Sequence, residues 1–275
     1  MPSVREGVEV PPARVVSTPE VLRALLRVSS MVAFQYRASF LFELLVGAVN
    51  TVGVVIPLWT IYGHWDAVAG WSFPEALLVT ACFQLLSAAM GGLVEPNLGA
   101  VVEGVRNGQF DYLLLKPADS QLVASLHRAD PARIWDLVGA VVVLVWALSQ
   151  LPTPTPGEVG TALVLLGAGF AAMYSLWVMV ICLSFWFVRV DNLRYLLTSI
   201  TDAGRWPVSV YSGFVRTFLT VIVPVALVTS WPAMALTGRM TPGLVVQGVL
   251  VAVAMLGISR YAWVRAIRRY ASASS

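Results

Sequence analysis

The chain has 275 residues, of which 58% belong to the apolar and aromatic set and 12% are charged. A soluble globular domain carries about 25% charged residues, so water is the wrong solvent for most of this protein. The formal charge of +3 and pI near 9.1 come from dispersed cations without a basic, aromatic-interleaved stretch, which excludes nucleic acid as a partner and points to anionic lipid headgroups.

In chain order, residues 1–17 contain Pro2, Pro11 and Pro12 with mixed charge and no apolar period, and read as an extended arm. Charges spread through the first 39 residues argue against a cleaved signal peptide. Thr18, Pro19 and Glu20 supply a capping hydroxyl, a proline for the first helical position and an acid for the first turn. Leu22, Leu25, Leu26, Val32, Ala33 and Tyr36 then recur at helical spacing, with Arg23, Arg27 and Arg37 off that stripe. This pattern predicts an amphipathic helix lying in the inner interface, with an irregular leader to the first span as the alternative.

Apolar runs of about 18 residues or more, the length that crosses some 30 Å of hydrocarbon as helix, fall near Phe40–Tyr62, Pro74–Val94, Ile134–Leu151, Gly160–Val188, Phe214–Trp231 and Leu244–Val264. The chain is therefore expected to be an all-α integral membrane protein: an arm and interfacial helix over 1–39, a domain of about six transmembrane helices over 40–270, and a small-residue tail over 271–275. Of the 18 Lys and Arg residues, all but Arg239 fall in segments on one side of these spans. Cationic loops are retained in the cytoplasm, so both termini are predicted to be cytoplasmic. The outer connections are then short: Gly63–Phe73 with Trp65 and Trp71, the proline–threonine spacer from Pro152 to Gly157, and an apolar segment from Trp231 to Arg239 that is expected to dip back into the outer leaflet. Longer polar connections over 95–133 and 189–213 are expected on the inner side.

A phosphate-binding loop needs glycines followed by Lys-Ser or Lys-Thr. The single lysine, Lys116, is followed by Pro117, so the chain is not expected to hydrolyse ATP by that route, or to be an enzyme. His64 and His127 fall on opposite sides of the membrane in this topology, and Cys82 and Cys182 lie inside spans, so no metal or nucleophilic site is expected. Glu43 is the candidate intramembrane charge, one turn inside the first span, with snorkelling or pairing to an inner-face arginine as the structural alternative. Asp136 is spaced for an i,i+3 pair with Arg133. Pro57 and Pro224 fall within spans and each permits a bend.

The most informative stretch runs from Glu95 to Pro117. A short helix from about Leu98 reaches Asn107 and is stopped by Gly108 in a C-cap position, after which a second turn ends at Lys116-Pro117. Arg106, Asn107, Gln109 and Asp111 gather at the turn, as on a docking knob; an amphipathic connector lying on lipid explains the leucines but not that polar cluster.

At this loop the sequence resembles the six-span permease subunits of bacterial type-2 ABC exporters, in particular the subfamily without an assigned substrate. The resemblance rests on Gly108-Gln109-Phe110-Asp111-Tyr112-Leu113-Leu114-Leu115-Lys116-Pro117, on Ala203-Gly204-Arg205-Trp206-Pro207 with Tyr211 and Arg216 before Pro224, and on Arg268-Arg269-Tyr270-Ala271-Ser272-Ala273-Ser274. It implies a non-catalytic subunit in a bacterial inner membrane that exports a hydrophobic or amphiphilic substrate. Two copies of a separate ABC ATPase would bind ATP and Mg, and would pair with two permease chains, identical or homologous. Residues 97–117, with Gly104, Arg106, Asn107, Gly108, Asp111, Leu115, Lys116 and Pro117, would seat in the ATPase; Asp191, Asn192, Arg205 and Pro207 would form the second inner loop. An ion-coupled secondary transporter or channel is the alternative, and would need a buried relay such as Glu43.

Overall fold

The computed structural model of the protein describes residues 37–116, 118–185 and 191–270, together with the helical residues Glu20, Arg23, Arg27 and Met31. The arm, most of the expected interfacial helix, Pro117 and the tail lie outside the described residues.

Five of the apolar runs fold as helices long and apolar enough to cross a membrane. They are α1 (Arg37–Tyr62), α2 (Phe73–Leu93), α6 (Ile134–Ser149), α7 (Pro156–Cys182) and α12 (Pro242–Arg269). Between α2 and α6 lie three short helices, α3 (Glu95–Arg106), α4 (Asp111–Leu114) and α5 (Ser120–Leu126); between α7 and α12 lie α8 (Asp191–Asp202), α9 (Gly213–Val221), α10 (Val225–Val228) and α11 (Ser230–Leu236).

The helix starts follow local chemistry. Thr155 caps α7 reciprocally with Glu158: the Thr155 amide donates to Glu158 Oε2 at 2.6 Å and the Glu158 amide donates to Thr155 Oγ1 at 3.3 Å. The Ser72 amide likewise donates to Glu75 Oε2 at 2.8 Å at the start of α2. Helix α1 runs through Pro57.

The fifth expected span is not one helix. Gly213–Thr220 and Val225–Leu236 meet at a 60° bend, where Pro224 supplies no amide to continue the ladder. Together they count as a broken span or a re-entrant loop, which gives five crossings, or six with this bent pair. Ala233, Ala235 and Leu236 of α11 are buried, so the apolar segment after Trp231 belongs to the protein core.

Burial is uneven. In α2, 72% of the most apolar stretch is buried, against 11% in α1 and 17% in α6 and α12. Helix α2 is therefore the axis, flanked by α1 and α6 on one side, while α7 carries α11 and α12. The outer faces of α1 and α6, with Phe42, Val49, Val52, Ile56, Val142 and Val145, stay uncovered; in hydrocarbon such a face costs nothing. Close approaches hold the bundle: a Cβ added at Gly169 of α7 would meet the Val228 backbone at 2.8 Å.

Two ends of the bundle are chemically distinct. Beyond Leu93, at the basic end, lie Arg106, Lys116 and Arg128 with the last turn of α12, Arg268 and Arg269. Before Phe73, at the hairpin end, Ala67–Val68 and Trp71–Ser72 form a two-stranded antiparallel hairpin turned by Ala69 (φ 51°) and Gly70 (φ 82°). Arg239 is bound there, to Glu75 at 3.0 Å and over the Trp71 ring at 4.5 Å.

Candidate functional site

At the basic end α3, α4 and α5 build a compact knob. Its first anchor is Asn97, fully buried. The Asn97 Nδ2 donates to the Leu93 and Arg128 carbonyls, and Asn97 Oδ1 accepts from the Arg128 amide, each at 2.8 Å. One amide thereby joins the exit of α2 to the far end of the loop.

The turn after α3 closes as its sequence demands. Gly108 has φ 69°, a left-handed conformation that suits glycine. The Gln109 and Phe110 amides both donate to the Gly104 carbonyl, at 2.8 and 3.1 Å, as in a Schellman helix end. The chain reversal drives Phe110 inward, where it is 2% exposed. Its ring meets Phe185, Trp263 and Tyr270 edge-on at 5.4, 6.1 and 5.3 Å between centroids. The same turn leaves Tyr112 and Leu115 outside, 74% and 78% exposed. A cleft of about 300 Å³ separates α3 from α4, with Glu103, Asn107, Gln109, Lys116, His127 and Arg128 on its walls.

The second anchor is Asp119, which caps α5 by accepting from the Leu122 amide at 3.0 Å and accepts from both terminal guanidinium nitrogens, Nη1 and Nη2, of Arg260, on α12. Burial alone would raise the Asp119 carboxyl, but these donors outweigh it and hold the group below its ordinary value. Trp263 Nε1 donates to Ser120 Oγ at 3.2 Å. His127 Nδ1 donates to the Val123 carbonyl at 2.9 Å, and burial, with Lys116 and Arg128 nearby, lowers its pKa. Tyr270 is raised, first by burial and then by Asp111. The knob is thus braced on α2 through Asn97 and on α12 through Asp119 and the aromatic cluster.

Of the residues expected to act together, Gly104, Arg106, Asn107, Gly108, Asp111, Leu115 and Lys116 meet in this knob. Arg205 and Pro207 do not. Thr80 Oγ1 donates to the Arg205 carbonyl at 3.3 Å, and the Arg205 guanidinium lies 5.5 Å from the centre of the Phe83 ring, midway along α2. Farther on, Trp71 Nε1 donates to Ser209 Oγ at 2.9 Å and Ser209 Oγ to the Ala69 carbonyl at 3.2 Å. The segment expected as a second loop beside 95–133 therefore threads along α2 from Asp202 towards the hairpin, and Pro207 is buried there. Short apolar residues, Ala203, Gly204 and Val208, permit this: a Cβ at Gly204 would meet Val225 at 2.7 Å. Asp191 and Asn192 begin α8, but their side chains lie outside the described residues.

Glu43 sits half-buried on α1; of its structural alternatives, snorkelling and pairing with an inner-face arginine, no such pair is seen among the described residues. Asp136 does pair with Arg133, at 3.0 Å. Among the described residues no group of His, Cys, Asp and Glu could hold a metal ion. Sequence reasoning passed over Asn97, Asp119 and Arg260 as functional residues; the only signal was a polar side chain just after α2 and an Asp-Ser pair three residues before an apolar turn.

Residues 48–274 match the family described as ABC-2 family transporter protein. No curated protein and no solved structure matches the chain.

Proposed function

Since the chain belongs to the ABC-2 family of transporter proteins, whose members are permease components of ABC transporters, we propose that it is the membrane subunit of an ATP-driven exporter. A separate ATPase, present in two copies and binding ATP and Mg, docks on the knob of α3 and α4. The two permease chains are identical or homologous, both termini face the cytoplasm of a bacterial cell, and the substrate is hydrophobic or amphiphilic.

The observation that carries this reading is the contrast within one turn: Phe110 is locked into the aromatic cluster while Tyr112 and Leu115, two and five residues on, are 74% and 78% exposed. Two large apolar side chains presented beside Arg106 and Asn107, on a rigid base, form an anchor-and-rim surface suited to a protein partner. The charge asymmetry of the two ends supports placing this face in the cytoplasm.

Mechanically, nucleotide-driven closure of the ATPase dimer moves the knob. Phe110 passes that motion to α12 through Trp263 and Tyr270, and Asn97 passes it to α2. Converting a mostly inward population to a mostly outward one needs about 5.5 kcal/mol of differential binding between the two states.

The test is affinity purification of the tagged chain from its native membranes, beside Gly108→Val and Tyr112→Asp/Leu115→Asp variants. Recovery of an ABC ATPase with the parent chain and its loss from the variants, all of them correctly inserted, is expected. Transport by the intact parent preparation without any associated ATPase would overturn the reading.

A further inference from the structure

Outside the knob, the feature that apolar packing does not explain is a polar groove midway along α2. It has a volume of about 450 Å³ and runs between α1, α2, the start of α6 and the segment that follows α8. Its lining includes Val49, Val54 and Ala88 but also Asn50, Gln84 and Ser87 and two ion pairs. Arg133 Nη1 lies 3.0 Å from Asp136, and Arg205 Nη2 lies 3.1 Å from Asp202. A smaller cavity of about 150 Å³, sharing Ser87, Arg133 and Asp202, continues the groove towards Gly91 and Glu95 at the basic end.

Three properties specify what fits. First, Gln84 Oε1 is buried and has no hydrogen-bond partner among the described residues; a buried acceptor is costly unless a donor reaches it. Second, Arg133 and Arg205 face Asp136 and Asp202 on the lining of this groove, with Asp130 3.8 Å from Arg133 and Glu95 on the smaller cavity beyond; the carboxylates at least match the arginines, so an anion without a positive centre of its own would leave uncompensated charge at bilayer depth. Third, the arginine side chains remain 48% and 45% exposed although each is paired. A guanidinium has five N–H donors; Arg205 meets one carboxylate, and Arg133 meets Asp136 through Nη1 with Asp130 3.8 Å from its Nε, so each keeps donors for an anionic oxygen. The neighbouring face of α1, with Val49 and Val52 uncovered, offers an apolar path for a chain attached to that head.

We infer that this groove binds the head of a zwitterionic amphiphile, an N–H donor meeting Gln84 Oε1 and an anionic oxygen meeting Arg205 and Arg133, as a phosphoethanolamine head would. The inference deepens the exporter reading by naming the substrate class, and it rests on that reading only for the fate of the bound molecule. Binding itself requires no ATPase.

The test uses the full chain in phosphatidylcholine nanodiscs, with acyl-spin-labelled phosphatidylethanolamine as probe and the motionally restricted fraction as readout. A saturable restricted component is expected for the parent. Gln84→Leu should weaken it at least tenfold, and Gln84→Glu, which keeps the acceptor, should retain it. Because the Gln84 oxygen is unpaired, Gln84→Leu should leave the melting temperature of the ligand-free protein unchanged or higher, which separates loss of binding from loss of fold. Spin-labelled phosphatidylcholine, whose quaternary ammonium has no N–H, should bind weakly and equally to parent and Gln84→Leu. No saturable component in the parent, equal affinity in Gln84→Leu, or equal binding of the two lipids would each overturn the inference. None of these outcomes touches ATPase recruitment, so the two readings fail separately.

Discussion

Residues 95–133 and 189–213 look alike in the sequence: each joins two apolar runs, and each mixes charge, glycine, proline and aromatic side chains. They fold to opposite purposes. The first stays beyond the end of α2 and closes on itself through Asn97 and Gly108, displaying Tyr112 and Leu115. The second leaves α8 and threads along α2, so that Arg205 reaches the level of Phe83 and Ser209 reaches the hairpin. The difference lies in what each can bury. The first carries Lys116 and is interrupted by exposed polar residues, whereas Ala203-Gly204 and Pro207-Val208 offer little side-chain bulk or polarity and can be drawn between helices. Polar composition marks a loop; only packing decides whether it stays outside.

The comparison yields predictions of decreasing size. Phe110→Ala should remove the keystone of the knob and lower stability by about 3–5 kcal/mol, read as a fall in the melting temperature of the purified protein. Asn97→Leu should cost about 1–3 kcal/mol, because the Arg128 amide and carbonyl lose their partner, and should weaken ATPase binding without altering protection of residues 67–72 against hydrogen exchange. Ser209→Ala should do the reverse: the loss of two hydrogen bonds, about 1 kcal/mol, should speed exchange at the hairpin while ATPase binding stays at the parental level. If Ser209→Ala impaired docking as much as Asn97→Leu, the division between the two regions would be broken.

The smallest effect concerns pH. His127 is held below its ordinary value of 6.5 chiefly by burial, so the unfolded chain takes up a proton more readily than the folded knob. Its contribution to stability should be complete above about pH 6.5 and should fall as the pH drops towards the lowered folded value. A melting-temperature series from pH 8 to 5 should show this decline for the parent, and His127→Gln should flatten it; parallel curves would remove His127 from the account.

Much of the fold was legible because hydrocarbon thickness dictates helix length. Five of the six runs became continuous helices with ends within a few residues of the apolar pattern, and Gly108 ended α3 because its left-handed φ is cheap only for glycine. The remaining run, the fifth in chain order, was broken by Pro224, a bend whose 60° magnitude depends on the helices around it. The hairpin between α1 and α2 left only Ala69-Gly70 as a signal, too short to read. Within the site, the turn residues were legible and their supports were not. Asp119 and Arg260 lie 141 positions apart and Ser120 and Trp263 lie 143 apart, and no local period encodes such a pairing. Charge usually stays at a membrane surface, so the sequence alone points to the inner face for Arg205; its carboxylate partner and the Phe83 ring let it lie deeper.

The central claim is that the ATPase seats on the knob and not on the threaded segment, and cysteine cross-linking tests it most directly. Cys82 and Cys182 are both buried, so Leu115→Cys or Val210→Cys each adds one accessible thiol, at positions 78% and 43% exposed. In native membranes carrying a short bismaleimide linker and an ATPase with surface thiols, Leu115→Cys should join the permease to the ATPase in good yield and Val210→Cys should not. Cross-linking from Val210→Cys alone, or equally from both, would contradict the account.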